Sequence, residues 1–295
     1  MSTQRVILIL GAGGQVGTEL QRSLAGAGEV IACDRAAADL SRPEVLRPVI
    51  AQLRPAIILN AAAYTAVDRA ESESELAMTI NGQAPRVLAE EAAKLNALLV
   101  HFSTDYVFDG TKKSAWVESD ATNPLNVYGR TKLTGEDAIR EVGGKYLIFR
   151  TSWIYGPHGH NFLRTMLRLG RERDQLKIVD DQFGAPTSST AIADATRAIV
   201  DKAATTESAF GVYHLTCGGE TTWRRFAQEI FSLHHQQSGE KVPQVIPISS
   251  SEYPTPAARP ANSVLSNEKL RSTFGISLPD WQSALTAAMT ALASH

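Results

Sequence analysis

Between Arg5 and Leu24 an apolar run, RVILIL, passes without a spacer into GAGGQVG and then into TELQRSL; no other stretch restricts the fold as far. A segment that is apolar at every position and rich in branched residues belongs to a strand covered on both faces, inside a parallel sheet flanked by helices. The pattern that follows is a short helix. Where such a strand turns at once into a helix, the chain needs positions without Cβ, and the free N–H groups at the helix start can cradle a pyrophosphate. The spacing is GxxGxxG, shifted from the common GxGxxG, with Gly13 as a further glycine inside the turn. Glycine clusters are frequent in ordinary loops, so the strand before and the helix after carry the inference. Gly11, Gly14, Gln15, Val16 and Gly17 are candidate ligands of a dinucleotide.

The next strand, residues 29–33, delivers Asp34 and Arg35 at its carboxyl end, where a residue reading the adenosine ribose belongs. Asp34 would accept from two free hydroxyls, which suits NAD(H). Arg35 would pair with a 2′-phosphate, which suits NADP(H); the sequence leaves both open. Asp39 and Leu40 follow, placed either to bond and pack adenine or to cap the helix that Pro43 opens. Residues 56–59 read as another buried strand, and the small residues after it, through Ala63, Tyr64 and Thr65, let the backbone approach a flat ligand. The acidic run DRAESESE at 68–75 reads as a solvated helix start, with an interface contribution from Glu71, Glu73 and Glu75 as the alternative. A long helix is expected over 76–96. Its Asn81 either bonds neighbouring backbone or faces solvent.

Residues 98–132 carry the chemistry. An apolar strand ends in Ser103-Thr104, a polar loop follows, and a helix opens on YGRTK, with Tyr128 and Lys132 four apart on one face. A phenol is a poor proton donor at neutral pH, and an ammonium about 4–6 Å away would bring its pKa down toward the working range. Ser103 or Thr104 would hold the substrate oxygen in line. YxxxK on a helix is common and mostly structural, so the motif gains its meaning from the glycine turn upstream.

Beyond it, residues 146–150 form a strand leading to TSWIYG, whose Trp153 either covers a sugar ring or is core. Asn161 begins a helix that ends near Gly170. DQFGAPT at 181–187 then breaks the strand–helix rhythm. Helices are expected at 189–201, 222–234, 267–274 and 280–292, and strands at 176–179, 211–215 and 245–248. The Pro- and Ser-rich 249–260 must be irregular, and Arg259 at its end is either a phosphate ligand or a surface arginine. The fold expected is α/β: a Rossmann-like parallel sheet with helices on both faces, plus a smaller C-terminal α/β substrate lobe. Residues 1–155 form the core of the NAD(P)-binding domain; 156–295 complete the sheet and build that lobe.

A net charge of −2, from 29 basic and 31 acidic residues, gives no electrostatic reason to expect nucleic acid. Only Cys33 and Cys217 are present, which suits a reducing compartment, hence the cytoplasm. No stretch approaches 18 apolar residues, so no membrane is expected. No histidine has metal-ligand spacing with a cysteine or carboxylate, and no metal is assigned.

With the glycine turn, Ser103-Thr104 and Tyr128/Lys132 in place, the chain resembles the extended short-chain dehydrogenase/reductase superfamily and, within it, the dTDP-4-dehydrorhamnose reductases. The strings that carry this are GAGGQVG, NAAAYTAVDRAE, HFSTDYVFDG, NPLNVYGRTKLTGE, RTSWIYG, NFLRTMLRL, DQFGAPTS and RPANSVL. They cover nearly the whole chain. The resemblance implies reduction of the C4 ketone of a dTDP-sugar with NADPH or NADH. It makes Tyr128 and Lys132 the catalytic pair and Thr104 the supporting hydroxyl. Gly14, Gln15 and Val16 would contact the pyrophosphate, Asp34 or Arg35 the ribose, Asp39 and Leu40 the adenine, and Ala63, Tyr64 and Thr65 the region nearer the nicotinamide. The substrate would contact Thr104, Asp105 and Trp153, with Asn161 and Arg259 as weaker transfers. The family often carries histidine where this chain has Tyr64. Magnesium and a homodimer are implied by the resemblance alone. Competing readings are a 4,6-dehydratase or 4-epimerase of the same superfamily, and a non-catalytic cofactor-binding subunit. Against dehydration, Thr104 is followed by Asp105-Tyr106, without the Asp-Glu pair that dehydratases carry.

Overall fold

The computed structural model describes residues 5–203 and 209–293. Strands and helices alternate through its first half: β1 (Val6–Leu10), α1 (Gln15–Ser23), β2 (Glu29–Cys33), α2 (Leu46–Leu53), β3 (Ile57–Asn60), α3 (Val67–Ala70), α4 (Ser74–Met78), α5 (Ala84–Leu95), β4 (Leu98–Thr104), α6 (Val127–Val142) and β5 (Tyr146–Thr151). The second half holds β6 (Ile154–Tyr155), α7 (Phe162–Glu172), β7 (Gln175–Val179), β8 (Phe183–Gly184), β9 (Thr187–Ser188), α8 (Ser189–Ala203), β10 (Gly211–His214), β11 (Thr221–Thr222), α9 (Trp223–Ser238), β12 (Gln244–Ile248), α10 (Glu268–Phe274) and α11 (Trp281–Ala293).

Six parallel strands form the main sheet in the order β2-β1-β3-β4-β5-β10. Continuous apolar strands supply both faces, because alternate side chains point to opposite sides. Ile7, Ile9, Val100 and Phe149 pack with Leu20 of α1 and Ile192 of α8, while Leu8, Leu10, Leu99 and Ile148 pack with Ile50 of α2, Leu88 of α5 and Ile139 of α6. This is the Rossmann-like α/β architecture read from the sequence. The strand order reverses between β1 and β3, the switch point outside whose carboxyl ends such sheets bind ligands.

Two differences from the sequence reading bear on the site. Helix α1 starts at Gln15, three residues early, since Gly14 takes the extended conformation of an N-cap. The helix expected over 76–96 begins at Ser74 and carries a π-turn at Thr79–Gln83 between α4 and α5. The cause is Asn81. Its buried side chain grips the Tyr64 backbone on both sides, accepting from Tyr64 N at 2.8 Å and donating to Tyr64 O at 3.0 Å.

The smaller α/β region is built around β7 and β12, a parallel pair, with α7 and α9 beside them. Its DQFGAPT and RPANSVL strings are joined by backbone: Phe183 N–H donates to Ala261 O at 2.8 Å and Ser263 N–H to Phe183 O at 2.8 Å. Residues 249–260 hold one 3₁₀ turn, Ser250–Glu252, and are otherwise irregular. Among the described residues no helix is long and apolar enough to cross a membrane.

Candidate active site

A cleft of about 780 Å³ opens at the switch point, between the ends of β1, β2 and β3. Gly11 has φ +80, and a Cβ there would lie 2.7 Å from Ala62 N; a Cβ at Gly17 would lie 2.1 Å from Gly11 O. Gly17 therefore lets α1 pack against the turn and does not itself line the cleft. Gly11, Gly14, Gln15 and Val16 do line it. Gly14 caps α1 without a side chain, which leaves the first-turn N–H groups and the positive end of the helix dipole facing the cleft. That donor set fits a pyrophosphate, and the residues present fit a nicotinamide dinucleotide.

Asp34, Arg35, Asp39 and Leu40 line the cleft beyond β2. Asp34 Oδ1 accepts from Ala36 N and Ala37 N, and Arg35 Nε lies 3.5 Å from Asp39 Oδ1. Asp39 also accepts from Ser41 N and Oγ, and these bonds hold its carboxyl below the usual carboxylate range. Ala63, Tyr64 and Thr65 form the wall after β3. Tyr64 donates its hydroxyl to Glu73 at 2.6 Å, and Glu73 also pairs with Arg69. The acidic run is thus not merely solvated: Glu71 accepts from Val127 N at the start of α6, and Asp68 binds Arg259.

Tyr128, Lys132 and Glu136 form one stripe along α6. Asn126 caps this helix, accepting from Gly129 N at 2.8 Å and donating to Ala258 O at 2.7 Å. Gly129 lets its first turn touch the chain after β4, since a Cβ there would lie 2.3 Å from Tyr106 O. The phenol of Tyr128 is thereby held beside the Thr104 hydroxyl. Burial pushes Tyr128 up to about 12, with Thr104 opposing. The lowering expected from Lys132 does not show in this arrangement. The lysine side chain runs under the tyrosine into the sheet, where Nζ donates to Phe102 O at 2.6 Å and meets His101 Nε2 at 3.1 Å. Burial brings Lys132 itself down to about 8. Ser103, the alternative hydroxyl for the substrate oxygen, turns elsewhere. Alternation turns its side chain onto α6, where Oγ donates to Glu136 Oε1 at 2.5 Å, inside the buried Glu136–Arg150 pair.

Of the residues expected to meet the substrate, Asp105 is buried, and Thr104 Oγ1 donates to its Oδ1 at 2.9 Å. Burial pushes its carboxyl up to about 6, opposed by the Ser263 and Thr104 hydroxyls. Trp153, at φ +47, stacks on Trp223 with centroids 3.6 Å apart. Its ring fits because position 184 is glycine; a Cβ there would lie 2.4 Å from the indole. Trp223 and Arg259 line a second cleft of about 930 Å³ along β7. Arg259 is not free. It binds Asp68 through both terminal nitrogens, at 3.1 and 2.8 Å. Asn161 lies apart from that cleft; it caps α7 and donates to Gln15 Oε1, Gly156 O and His158 O.

Sequence reasoning missed Asn60, His101, Asn126 and Glu136. Asn126 alone carried a signal, as a capping residue before a helical run. Among the described residues no group of three or more His, Cys, Asp or Glu side chains could hold a metal ion.

The chain matches the family described as RmlD substrate binding domain over residues 5–294. It is 51% identical over 286 residues to a dTDP-4-dehydrorhamnose reductase of Burkholderia thailandensis, covering 95% of this chain and 96% of that one. A crystal structure of a dTDP-4-dehydrorhamnose reductase from Clostridium acetobutylicum superposes with a TM-score of 0.91 at 39% identity, over 98% of this chain and 99% of that one. The Bacillus anthracis dTDP-4-dehydrorhamnose reductase in complex with NADP gives 0.90 at 36% identity, over 98% and 99%. The chain belongs to the dTDP-4-dehydrorhamnose reductase family of the extended short-chain dehydrogenase/reductase superfamily, and is an oxidoreductase.

Proposed function

We propose that the protein reduces the C4 ketone of dTDP-4-dehydro-β-L-rhamnose to give dTDP-β-L-rhamnose, the last step of dTDP-rhamnose synthesis, using NADH or NADPH. The observation that carries this reading is the Tyr128 phenol held beside the Thr104 hydroxyl, one turn from the buried Lys132, in a chain whose glycine turn lines a cleft at the β1–β3 switch point. When bound, the nicotinamide supplies the hydride. Tyr128 gives its proton to the ketone oxygen, and Thr104 orients that oxygen. Burial keeps the phenol protonated until then, so the proton is delivered and not lost to solvent. Lys132 recharges the tyrosine and holds ribose hydroxyls. Gly14, Gln15 and Val16 serve the pyrophosphate, and Ala63, Tyr64 and Thr65 the nicotinamide side. Asp105 and Trp153 face the sugar, with Asn161 and Arg259 in supporting roles: Asn161 fixes the glycine turn through Gln15, and Arg259 can reach a substrate phosphate only by exchanging Asp68 for it. Residues 1–155 hold the cofactor domain, and 156–295 complete its sheet and supply the substrate lobe. Purified protein with freshly generated keto-sugar nucleotide should consume NADPH absorbance; unchanged absorbance would sink the enzyme reading.

Cofactor choice follows from opposed charges at the β2 end of the cleft. Asp34 repels a 2′-phosphate, whereas Arg35 offers it a charge-assisted contact worth about 1.5–3 kcal/mol. The two are expected to offset each other, leaving a preference below about tenfold in kcat/KM, or about 1.4 kcal/mol. Asp34→Ala should move it toward NADPH and Arg35→Ala toward NADH, read as kcat/KM for both cofactors at one ionic strength. A wild-type preference beyond about a hundredfold, some 2.7 kcal/mol, would refute the balance.

A further inference from the structure

We propose that Asn60 and His101 are positioning residues for Lys132: a hydrogen-bond chain that begins at the Ala62 N–H, and runs through the Asn60 amide and the His101 ring, ends on Nζ as a donor and so favours the amine form of the lysine. This deepens, and rests on, the reading of Tyr128 and Lys132 as the proton-transfer pair.

Asn60 and His101 are partners in the β3–β4 ladder, which puts their side chains side by side beneath α6. A backbone N–H can only donate, and Ala62 N lies 3.3 Å from Asn60 Oδ1. That fixes which end of the amide is oxygen, so the end 3.0 Å from His101 Nδ1 is the NH₂ group, which also only donates. Nδ1 therefore accepts. Burial keeps the ring neutral, with its pKa well below the usual value. The single ring proton then sits on Nε2, 3.1 Å from Nζ. An amine has the lone pair to receive it, and still donates to Phe102 O. An ammonium would set donor against donor where Asn60, His101 and Lys132 are each 1% exposed. The other titratable and charged groups around Lys132 are Glu136, one turn on along α6 and paired with Arg150 of β5, Tyr128 one turn back, and Asp105 beyond it. Glu136 favours the ammonium, so the chain from Ala62 acts in the opposite sense.

Nuclear magnetic resonance of the full chain tests this without substrate. The ¹⁵N-labelled His101 ring, assigned by its loss in His101→Gln, is expected to carry its proton on Nε2. The Lys132 titration, followed at ¹⁵Nζ, is expected to move up by about one pH unit, tenfold in proton affinity, in Asn60→Leu and His101→Leu. It should stay near wild type in His101→Gln, whose amide can donate to Nζ. A wild-type ring protonated on Nδ1 overturns the proposal even where a variant does not fold. A Lys132 titration that stays put or moves down, in variants whose thermal unfolding matches wild type, overturns it too. Inactivity of the wild type toward the ketone would instead sink the reductase reading and leave this one standing.

Discussion

Replacing Tyr128 with phenylalanine is expected to lower kcat by roughly 10²–10⁴-fold, the usual worth of a positioned general acid, with little change in cofactor affinity. The phenol is the proton donor that the first turn of α6 brings beside Thr104, and burial, which pushes it up to about 12, keeps it protonated near neutral pH. Lys132→Ala should lower both kcat and cofactor affinity, because the role proposed for that side chain includes the ribose as well as the tyrosine. Steady-state kinetics paired with a cofactor titration separates the two. Equal affinity losses in both variants would refute this division of labour.

The second large effect is on stability. Arg150 of β5 and Glu136 of α6 form a bidentate pair with side chains 3% and 0% exposed, joined by Ser103 and packed under Phe108, whose ring centroid lies 5.1 Å from the guanidinium. Arg150→Met would leave the Glu136 carboxylate buried without its cation, a change that costs about 3–5 kcal/mol. In a chain of this size Tm should fall by roughly 10 °C. Removing the charge as well, in Glu136→Gln with Arg150→Met, should recover part of that loss, because the penalty lies in the uncompensated charge. Thermal unfolding of the wild type, the single variant and the double variant decides it. A double variant less stable than Arg150→Met would show that the pair's geometry, not its charge balance, holds α6 to the sheet. Since Glu136 lies one turn from Lys132, activity of the folded double variant reports whether the stripe is kept in register.

Much of this was open to a reader of the chain alone, for reasons that are local. A strand covered on both faces writes itself as RVILIL whatever its partners, and a turn that admits no Cβ writes itself as glycine, so β1, the glycine turn, α1 and the cleft at their junction were legible. Helical spacing placed Tyr128 and Lys132 on one face. Tertiary structure decided what that face meets. Lys132 shares the stripe with Tyr128 but reaches Phe102 O and His101, because the close approach of α6 to β4 puts those partners within its length. The phenol is therefore raised by burial where sequence spacing predicted lowering by the ammonium. Ser103 and Thr104 are equivalent as hydroxyls in a string; strand alternation sends one to Glu136, and the chain's turn after β4 brings the other to Tyr128. Asp68 and Arg259 stand 191 positions apart and read separately as solvated acid and surface base, yet they pair at 2.8 Å. The sequence by itself determined the elements, the glycine turn and the residue types of the site, because propensity and periodicity act between near neighbours. Only the tertiary structure decided partners, the direction of each pKa shift and which hydroxyl meets Tyr128, because burial and distance are set by segments that the chain brings together from far apart.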